Sequence, residues 1–146
     1  MTVSLSTQQV SAQLSERFPD AVLETGVDSI LLDSAALVDV AAFLKDTPGL
    51  DFDFLSMVSG VDYYQYFEVV YHLISLEHNH SLTIKTRCRG RDNPTLPSLT
   101  GLWRSADLQE REIYDLLGVS FEGHPNLTRI VLWPEFSGHP LRKDYL

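Results

Sequence analysis

Hydrophobic residues recur at helical spacing in two stretches of the first fifty residues. Residues 6–9 have the Ser-x-x-Gln pattern of a capping box, and the apolar positions that follow at four-residue steps are Val10, Leu14 and Phe18. A second run begins at Asp33 or Ser34, and its apolar positions at i, i+3, i+4 and i+7 are Leu37, Val40, Ala41 and Leu44. The pattern predicts two amphipathic helices, with short strands at 21–23 and 30–32 between them.

The pattern changes to that of strands between residues 67 and 89. Residues 67–76 are rich in Val, Tyr and Ile, residues 78–81 form a polar turn, and residues 82–89 return as a second strand. One face of the returning strand carries Leu82, Ile84, Thr86 and Cys88, and the other carries Lys85, Arg87, Arg89 and Arg91. The basic face is interpreted as a solvated face or a charged edge strand. The alternative is a stripe that docks onto an acidic partner.

The remainder of the chain is predicted to hold one more helix between irregular segments. Two prolines between residues 93 and 98 predict an irregular loop. Ser105 is predicted to cap a helix over 106–117 that Gly118 ends, and the prolines and glycines that recur after residue 119 predict an extended segment lying on a surface. The predicted fold class is α+β, with a small mixed or antiparallel sheet, two to three helices and an extended, irregular C-terminal segment.

The length of 146 residues predicts a single domain, 1–146, which charge divides into two parts. The chain has 11 basic and 20 acidic residues, a net charge of −9, which argues against a general nucleic-acid binder. Residues 1–60 hold two basic and nine acidic residues, against nine and eleven in residues 61–146. We therefore distinguish an acidic N-terminal α/β part, 1–60, from a second part, 61–146, that concentrates the arginines, histidines and prolines.

Cysteine content and hydropathy narrow the classes of function further. The single cysteine, Cys88, excludes an internal disulfide, a CxxC redox pair and a self-contained iron–sulfur cluster, and it suits a reducing compartment. No stretch approaches the roughly 18 apolar residues that cross a bilayer, and residues 1–5 lack the basic region and apolar run of a signal peptide. We expect any contact with a membrane to pass through a partner.

The predicted helix at 106–117 carries a carboxylate on its apolar side. At about 100° per residue, Glu110 falls within the arc that also holds Ile113, Tyr114 and Leu117. A buried carboxylate is costly unless it is paired, so we expect Glu110 to be buried and bonded to Arg129 or Arg142. The alternative is a catalytic acid.

The other charged residues of this helix fall on the opposite side. They are Arg111, Glu112 and Asp115. We expect Glu112 and Asp115 to be freer to reach a partner, and Arg111 can pair with Asp115 at i, i+4.

The chain has five histidines, at positions 72, 78, 80, 124 and 139. His78 and His80 predict a polar hairpin tip, with adventitious metal binding as the alternative. His124 and His139 each precede a proline and are predicted to be hydrogen-bonding struts. A free-standing small enzyme that uses these two with Glu110 is the hypothesis from another class, although HExxH, GxGxxG, Walker and GxSxG motifs are absent.

Three blocks in the second part form a specific signature at residues 110–121, 124–130 and 138–145. In order and spacing they resemble the C subunit of the proton-translocating NADH:quinone oxidoreductase, respiratory complex I. The residues around 92–94 and 103–105 are similar to the J subunit of the photosynthetic and cyanobacterial type. The positions that match the family motif, in structural or interface roles, are Glu110, Arg111, Glu112, Asp115, Gly118, His124, Pro125, Arg129, Gly138, Pro140, Leu141, Arg142, Lys143 and Asp144.

The resemblance implies a non-catalytic scaffold subunit in the peripheral arm of the complex, on the cytoplasmic side of the cell membrane. It implies no catalytic, cofactor or metal site on this chain, because NADH, FMN, iron–sulfur clusters and quinone belong to partner subunits. The implied partners are the D subunit, which helps to form the quinone site, and neighbouring cluster-carrying subunits. The alternative is the equivalent subunit of a ferredoxin-fed or membrane-bound hydrogenase-type complex. We expect the partner-facing surface to include Arg87, Arg89, Arg91 and residues 123–145.

Overall fold

The computed structural model describes residues 3–130 apart from 90–93, together with 132 and 138–142. Its helices are α1 (Thr7–Arg17), α2 (Leu37–Asp46) and α3 (Ala106–Leu117), with a 3-10 turn at Ser34–Ala36. The strands are β1 (Val3–Ser4), β2 (Val22–Thr25), β3 (Ile30–Leu32), β4 (Phe54–Asp62), β5 (Tyr66–Ser75), β6 (His80–Arg89), β7 (Thr95–Pro97) and β8 (Ser120–Glu122).

Six of these strands form one mixed sheet. Its order is β2-β3-β6-β5-β4, and β1 pairs with the start of β6. Strand β5 pairs antiparallel with both β4 and β6, whereas β3 and β1 both run parallel to β6. Strands β7 and β8 form a separate parallel pair. The predicted α+β class is confirmed.

The first two helices form where the sequence predicts them. The Ser6 hydroxyl accepts a hydrogen bond from the Gln9 N–H at 3.4 Å, which confirms the N-cap of α1. Asp33 caps the turn before α2 by accepting the Ala35 N–H at 3.1 Å. The apolar positions predicted for α2 are all buried. Each helix therefore turns its apolar stripe towards the sheet.

The core lies between the sheet and the three helices. Alternate residues of β5 and β6 face it, and those fully buried include Phe67, Val69, Tyr71, Leu73 and Ile84. Helices α1 and α2 meet at Phe18 and Phe43, whose ring centroids are 5.6 Å apart. Helix α3 lies against β4, where Ile113 and Leu117 approach Gly60 so closely that a Cβ there would lie 2.6 Å from Leu117 Cδ1.

Strand β4 is absent from the sequence predictions. Its register shifts between Leu55 and Met57, so the exposed residues Ser56 and Met57 are adjacent and the two-residue alternation is broken. Helix α3 and the residue before it cover part of this edge. The Ser105 hydroxyl donates to the Leu55 carbonyl at 2.7 Å, and Gln109 Oε1 accepts the Val58 N–H at 2.6 Å.

Three further predictions need correction. Ser105 precedes α3 as predicted, but its hydroxyl bonds to β4 and makes no side-chain cap. The loop at 93–98 includes strand β7, which pairs with β8 from a distant part of the chain. The edge-strand interpretation of residues 82–89 is wrong, because β6 lies between β3 and β5. Within the described residues, no helix has the length and apolar character that crossing a membrane requires.

Candidate functional site

Glu110 lies on the inner side of α3 and is fully buried, as predicted. The Ser98 hydroxyl donates to its Oε1 at 2.6 Å, and the Leu99 N–H donates to its Oε2 at 2.9 Å. The predicted arginine partner is therefore wrong, because the loop before α3 supplies the donors. Burial raises the pKa of Glu110, and the hydrogen bonds from Leu99 and Ser98 partly oppose that effect.

Asp115 is also fully buried, against the prediction that it faces a partner. Its Oδ1 accepts Arg129 Nε at 2.6 Å, and its Oδ2 accepts the N–H groups of Ile130 and Leu132 at 3.1 and 2.9 Å. The segment with residues 129, 130 and 132, which contains these donors, lies over the polar side of α3. The periodicity of α3 alone could not predict this contact. Both carboxylate oxygens are thereby held by N–H donors.

The C-terminal end of α3 is capped by residues from the same extended segment. A helix leaves its last four carbonyls without partners inside the helix, and here all four, at 114–117, accept hydrogen bonds. Their donors are, in order, the Gly118 N–H at 2.8 Å, His139 Nδ1 at 2.8 Å, the Leu141 N–H at 2.9 Å and Arg142 Nε. Arg129 Nη2 also reaches the Asp115 carbonyl at 3.0 Å. We call residues 138–142 and their contacts to this helix end the C-terminal cap.

Gly118 makes the C-terminal cap sterically possible. It ends α3, as predicted, in the left-handed region with φ +79°. A Cβ at this position would lie 2.6 Å from His139 Cδ2 and 2.8 Å from Arg142 Nη2. Glycine is therefore required here for both backbone conformation and space.

His124 and Arg111 fix the segment that joins β8 to the C-terminal cap. His124 Nε2 donates to the Asp107 carbonyl at 3.1 Å, and His124 Nδ1 accepts the Asn126 N–H at 3.0 Å. Arg111 donates to the Thr128 carbonyl at 3.1 Å and to its hydroxyl at 2.9 Å, rather than to Asp115. The predicted role of His124 and His139 as hydrogen-bonding struts is confirmed.

The remaining motif positions are surface or loop residues. Glu112 is exposed, as predicted. Pro125 lies in the turn after β8, Pro140 lies within the C-terminal cap, and the Gly138 carbonyl accepts a hydrogen bond from Arg129. Lys143 and Asp144 lie outside the described residues.

The three residues considered for a small enzyme are each hydrogen-bonded to a different part of the chain. Glu110 binds the 98–99 loop, His124 binds the start of α3, and His139 binds its end. Their described hydrogen bonds do not join them into one reacting group.

The basic face of β6 is partly occupied within the fold. Arg87 Nε donates to Glu68 Oε1 at 3.1 Å, and the guanidinium lies 4.4 Å from the centre of the Tyr66 ring. The side chain of Arg89, and Arg91 as a whole, lie outside the described part. Docking of this face onto an acidic partner stays a prediction.

The hairpin tip between β5 and β6 is held by residues around position 50. His78 Nε2 lies 2.7 Å from Asp51 Oδ2, and this hydrogen bond lowers the pKa of Asp51. His80 Nε2 bonds to the Leu50 carbonyl at 2.8 Å. One ligand atom each from Asp51, Glu77 and His78 lies within 4.8 Å of the others, close enough together to hold a metal ion. The sequence predicts the polar tip but gives no signal for Asp51, which lies 27 residues earlier.

A family model matches most of the chain. Residues 30–146 match the family described as the respiratory-chain NADH dehydrogenase, 30 Kd subunit. This range contains the C-terminal cap and all three blocks of the motif.

Curated proteins and a solved structure agree with that match. The chain is 43% identical over 141 residues to the NADH-quinone oxidoreductase C subunit 2 of Rhizobium etli, covering 92% of this chain and 74% of that protein. It is 41% identical over 137 residues to the NADH-quinone oxidoreductase C subunit of Moorella thermoacetica, covering 91% and 90%. A chain of the membrane-bound sulfane sulfur reductase, an archaeal respiratory membrane complex, superposes with a TM-score of 0.76 at 26% identity, covering 94% of this chain and 84% of that one. The chain therefore belongs to the family of the 30 Kd subunit of respiratory-chain NADH dehydrogenase, which includes the C subunits of the NADH-quinone oxidoreductases.

Proposed function

We propose that this chain is a non-catalytic scaffold subunit in the peripheral arm of a proton-translocating NADH:quinone oxidoreductase. It is held at the cytoplasmic side of the cell membrane by its partners. NADH oxidation, electron transfer through FMN and iron–sulfur clusters, and quinone reduction take place on neighbouring subunits. The proposed direct partners are the quinone-site D subunit and cluster-carrying subunits.

The observation that supports this proposal most strongly is that charged residues of the motif make hydrogen bonds inside the fold. Asp115 accepts three N–H groups, from Arg129, Ile130 and Leu132, so both its oxygens are engaged inside the fold. A general acid or base must reach the proton that it transfers, and these contacts instead fasten an extended segment onto α3. This use of the motif supports a structural role.

The fastened segment is also suited to meet another protein. Residues 123–130 and 138–142 have only irregular structure among the described residues, and Ile130 and Leu141 are exposed. Because their backbone is fixed by α3, little conformational entropy remains to be lost when a partner binds. A preordered, irregular surface of this kind supports assembly as the function of the motif.

The test separates assembly from catalysis. Cells lacking the native subunit are complemented with the full chain carrying His139→Gln, His124→Gln or, as a surface control outside the motif, Glu16→Gln on the exposed side of α1. We expect the two histidine variants to lower the amount of assembled complex, while quinone reduction per bound FMN in that complex stays at the wild-type value. A tenfold loss of turnover in fully assembled complex would contradict the scaffold assignment.

A second candidate function is the equivalent position in a ferredoxin-fed or hydrogenase-type membrane complex. The fold match to a chain of the membrane-bound sulfane sulfur reductase favours it. The two candidates differ in electron donor. If the native complex contains an NADH-binding flavoprotein and oxidises NADH, the first is supported, whereas oxidation of reduced ferredoxin without that subunit supports the second.

A further inference from the structure

The three helices that the structure describes lie on one face of the six-stranded sheet. The core residues of β5, such as Phe67 and Tyr71, share that face with Gly60 of β4, against which α3 packs. Helices α1 and α2 contribute to the same core cluster. We call the opposite side of the sheet the open face, carried by Phe54, Met57, Val61, Val70, Ile74 and Lys85.

Register makes the open face a continuous surface. Phe54 lies opposite Ile74, Val61 lies opposite Glu68, and Val70 lies opposite Lys85. Directly paired residues on one face of a sheet have Cβ atoms about 5 Å apart. Met57 is 50% exposed, and Phe54 and Val61 are exposed as well. None of the described helices packs on this face, and a group of large apolar side chains on such a face is typical of an interaction surface.

The charge of the open face differs from that of the whole chain. Glu68 is only 3% exposed although it lies on this side, and it is paired with Arg87, whose guanidinium lies over the Tyr66 ring. Lys85 adds a second cation, so the described side chains of β4, β5 and β6 on this face include two cations and one carboxylate, whereas the whole chain has a net charge of −9. The surface is therefore apolar and locally cationic on an acidic protein.

We infer that the open face binds another subunit of the same complex, through a surface that combines apolar side chains with a carboxylate opposite Lys85. This inference rests on the proposed function. A second copy fits poorly, because a two-fold contact would bring the same cations together and join two chains of −9. A lipid surface fits poorly too, because membrane recruitment by charge takes several basic residues in a cluster.

The first experiment changes the open face in the full chain. Tagged Met57→Glu and Lys85→Glu chains replace the native copy in cells, and the matched control is Val27→Glu, since Val27 is 93% exposed in the turn between β2 and β3. We expect each open-face variant to recover at least tenfold less of the partner subunits than Val27→Glu, with an unchanged circular dichroism spectrum. Recovery of partners equal to that of the control would overturn the inference.

The second experiment identifies the occupant. A photo-cross-linking amino acid replaces Met57, and the cross-linked product is identified by mass spectrometry. A peptide from another subunit supports the inference, whereas a second copy of this chain or a lipid overturns it. If the wild-type chain recovers no subunits at all, the proposed function fails. If it recovers them but cross-links from Met57 reach no other subunit, only the open-face assignment fails.

Discussion

Replacing Gly118 by alanine tests whether the C-terminal cap holds the motif together. The new methyl group would meet His139 Cδ2 at 2.6 Å and Arg142 Nη2 at 2.8 Å, in a residue whose φ is +79°. Both neighbours donate hydrogen bonds to the end of α3, so relief of the clash displaces two donors.

The magnitude follows from two separable costs. Alanine in the left-handed region costs about 1–2 kcal/mol. Two displaced hydrogen bonds cost about 0.5–1.5 kcal/mol each. We therefore expect Gly118→Ala to lower the free energy of unfolding by about 3 kcal/mol, which corresponds to roughly 9 °C in the melting temperature of a domain of this size.

Gly123→Ala is the matched control, because Gly123 has φ +87° but nothing within 4 Å of the position that a Cβ would occupy. It carries the backbone cost alone, about 1–2 kcal/mol. Both full-length variants are unfolded in urea and followed by circular dichroism. A Gly118→Ala variant no less stable than Gly123→Ala would refute the capping role. In the Gly118→Ala/His139→Ala double variant, the two costs should be less than additive.

Three other predictions concern buried groups. The pKa of Glu110 is raised in the folded chain, so the stabilisation that its protonation gives is complete below the ordinary glutamate pKa of about 4.3 and is lost as the pH rises through the folded pKa. The free energy of unfolding of the wild type minus that of Glu110→Gln should therefore fall between pH 4 and pH 7. A rise in this difference over the same range would contradict the burial of Glu110. Asp115→Asn breaks a buried pair with Arg129 and should lower the free energy of unfolding in urea by about 3–5 kcal/mol. Glu112→Gln, on the exposed side of α3, should change it by no more than about 0.5 kcal/mol. Equal effects of the two substitutions would contradict the buried position of Asp115. Burial raises the pKa of Cys88 to about 12, so iodoacetamide at pH 8 should label the thiol only after unfolding, and rapid labelling of the folded chain would show that the site is open.

The periodic elements of the fold could be predicted from the sequence, because the spacing of apolar residues within each element shows which of its sides is buried. The apolar stripes of α1 and α2 and the alternation of β6 are local properties. Strand β4 could not be predicted in the same way, since its bulge at 55–57 breaks the alternation. The β7–β8 pairing joins two three-residue segments that are distant in sequence.

In the candidate site, too, the features set by local periodicity could be predicted, and the contacts set by the tertiary fold could not. Periodicity places Glu110 on the buried side of α3, but its donors come from residues 98 and 99, whose position depends on the tertiary fold. Asp115 is buried by a segment that lies over the polar side of its helix. A helical wheel reports one helix and contains no information about a chain segment that packs on it later.

Membership of this chain in a quinone-reducing complex, with the chemistry on its neighbours, is tested most directly by native purification. The tagged full chain is purified from the cells that encode it, its partners are identified by mass spectrometry, and NADH:quinone reduction is assayed. We expect one assembly that contains the quinone-site D subunit, cluster-carrying subunits and an NADH-binding flavoprotein, and no NADH:quinone reduction by the chain once it is separated from them. A chain that purifies without these partners, or that reduces quinone alone, would contradict the proposed function.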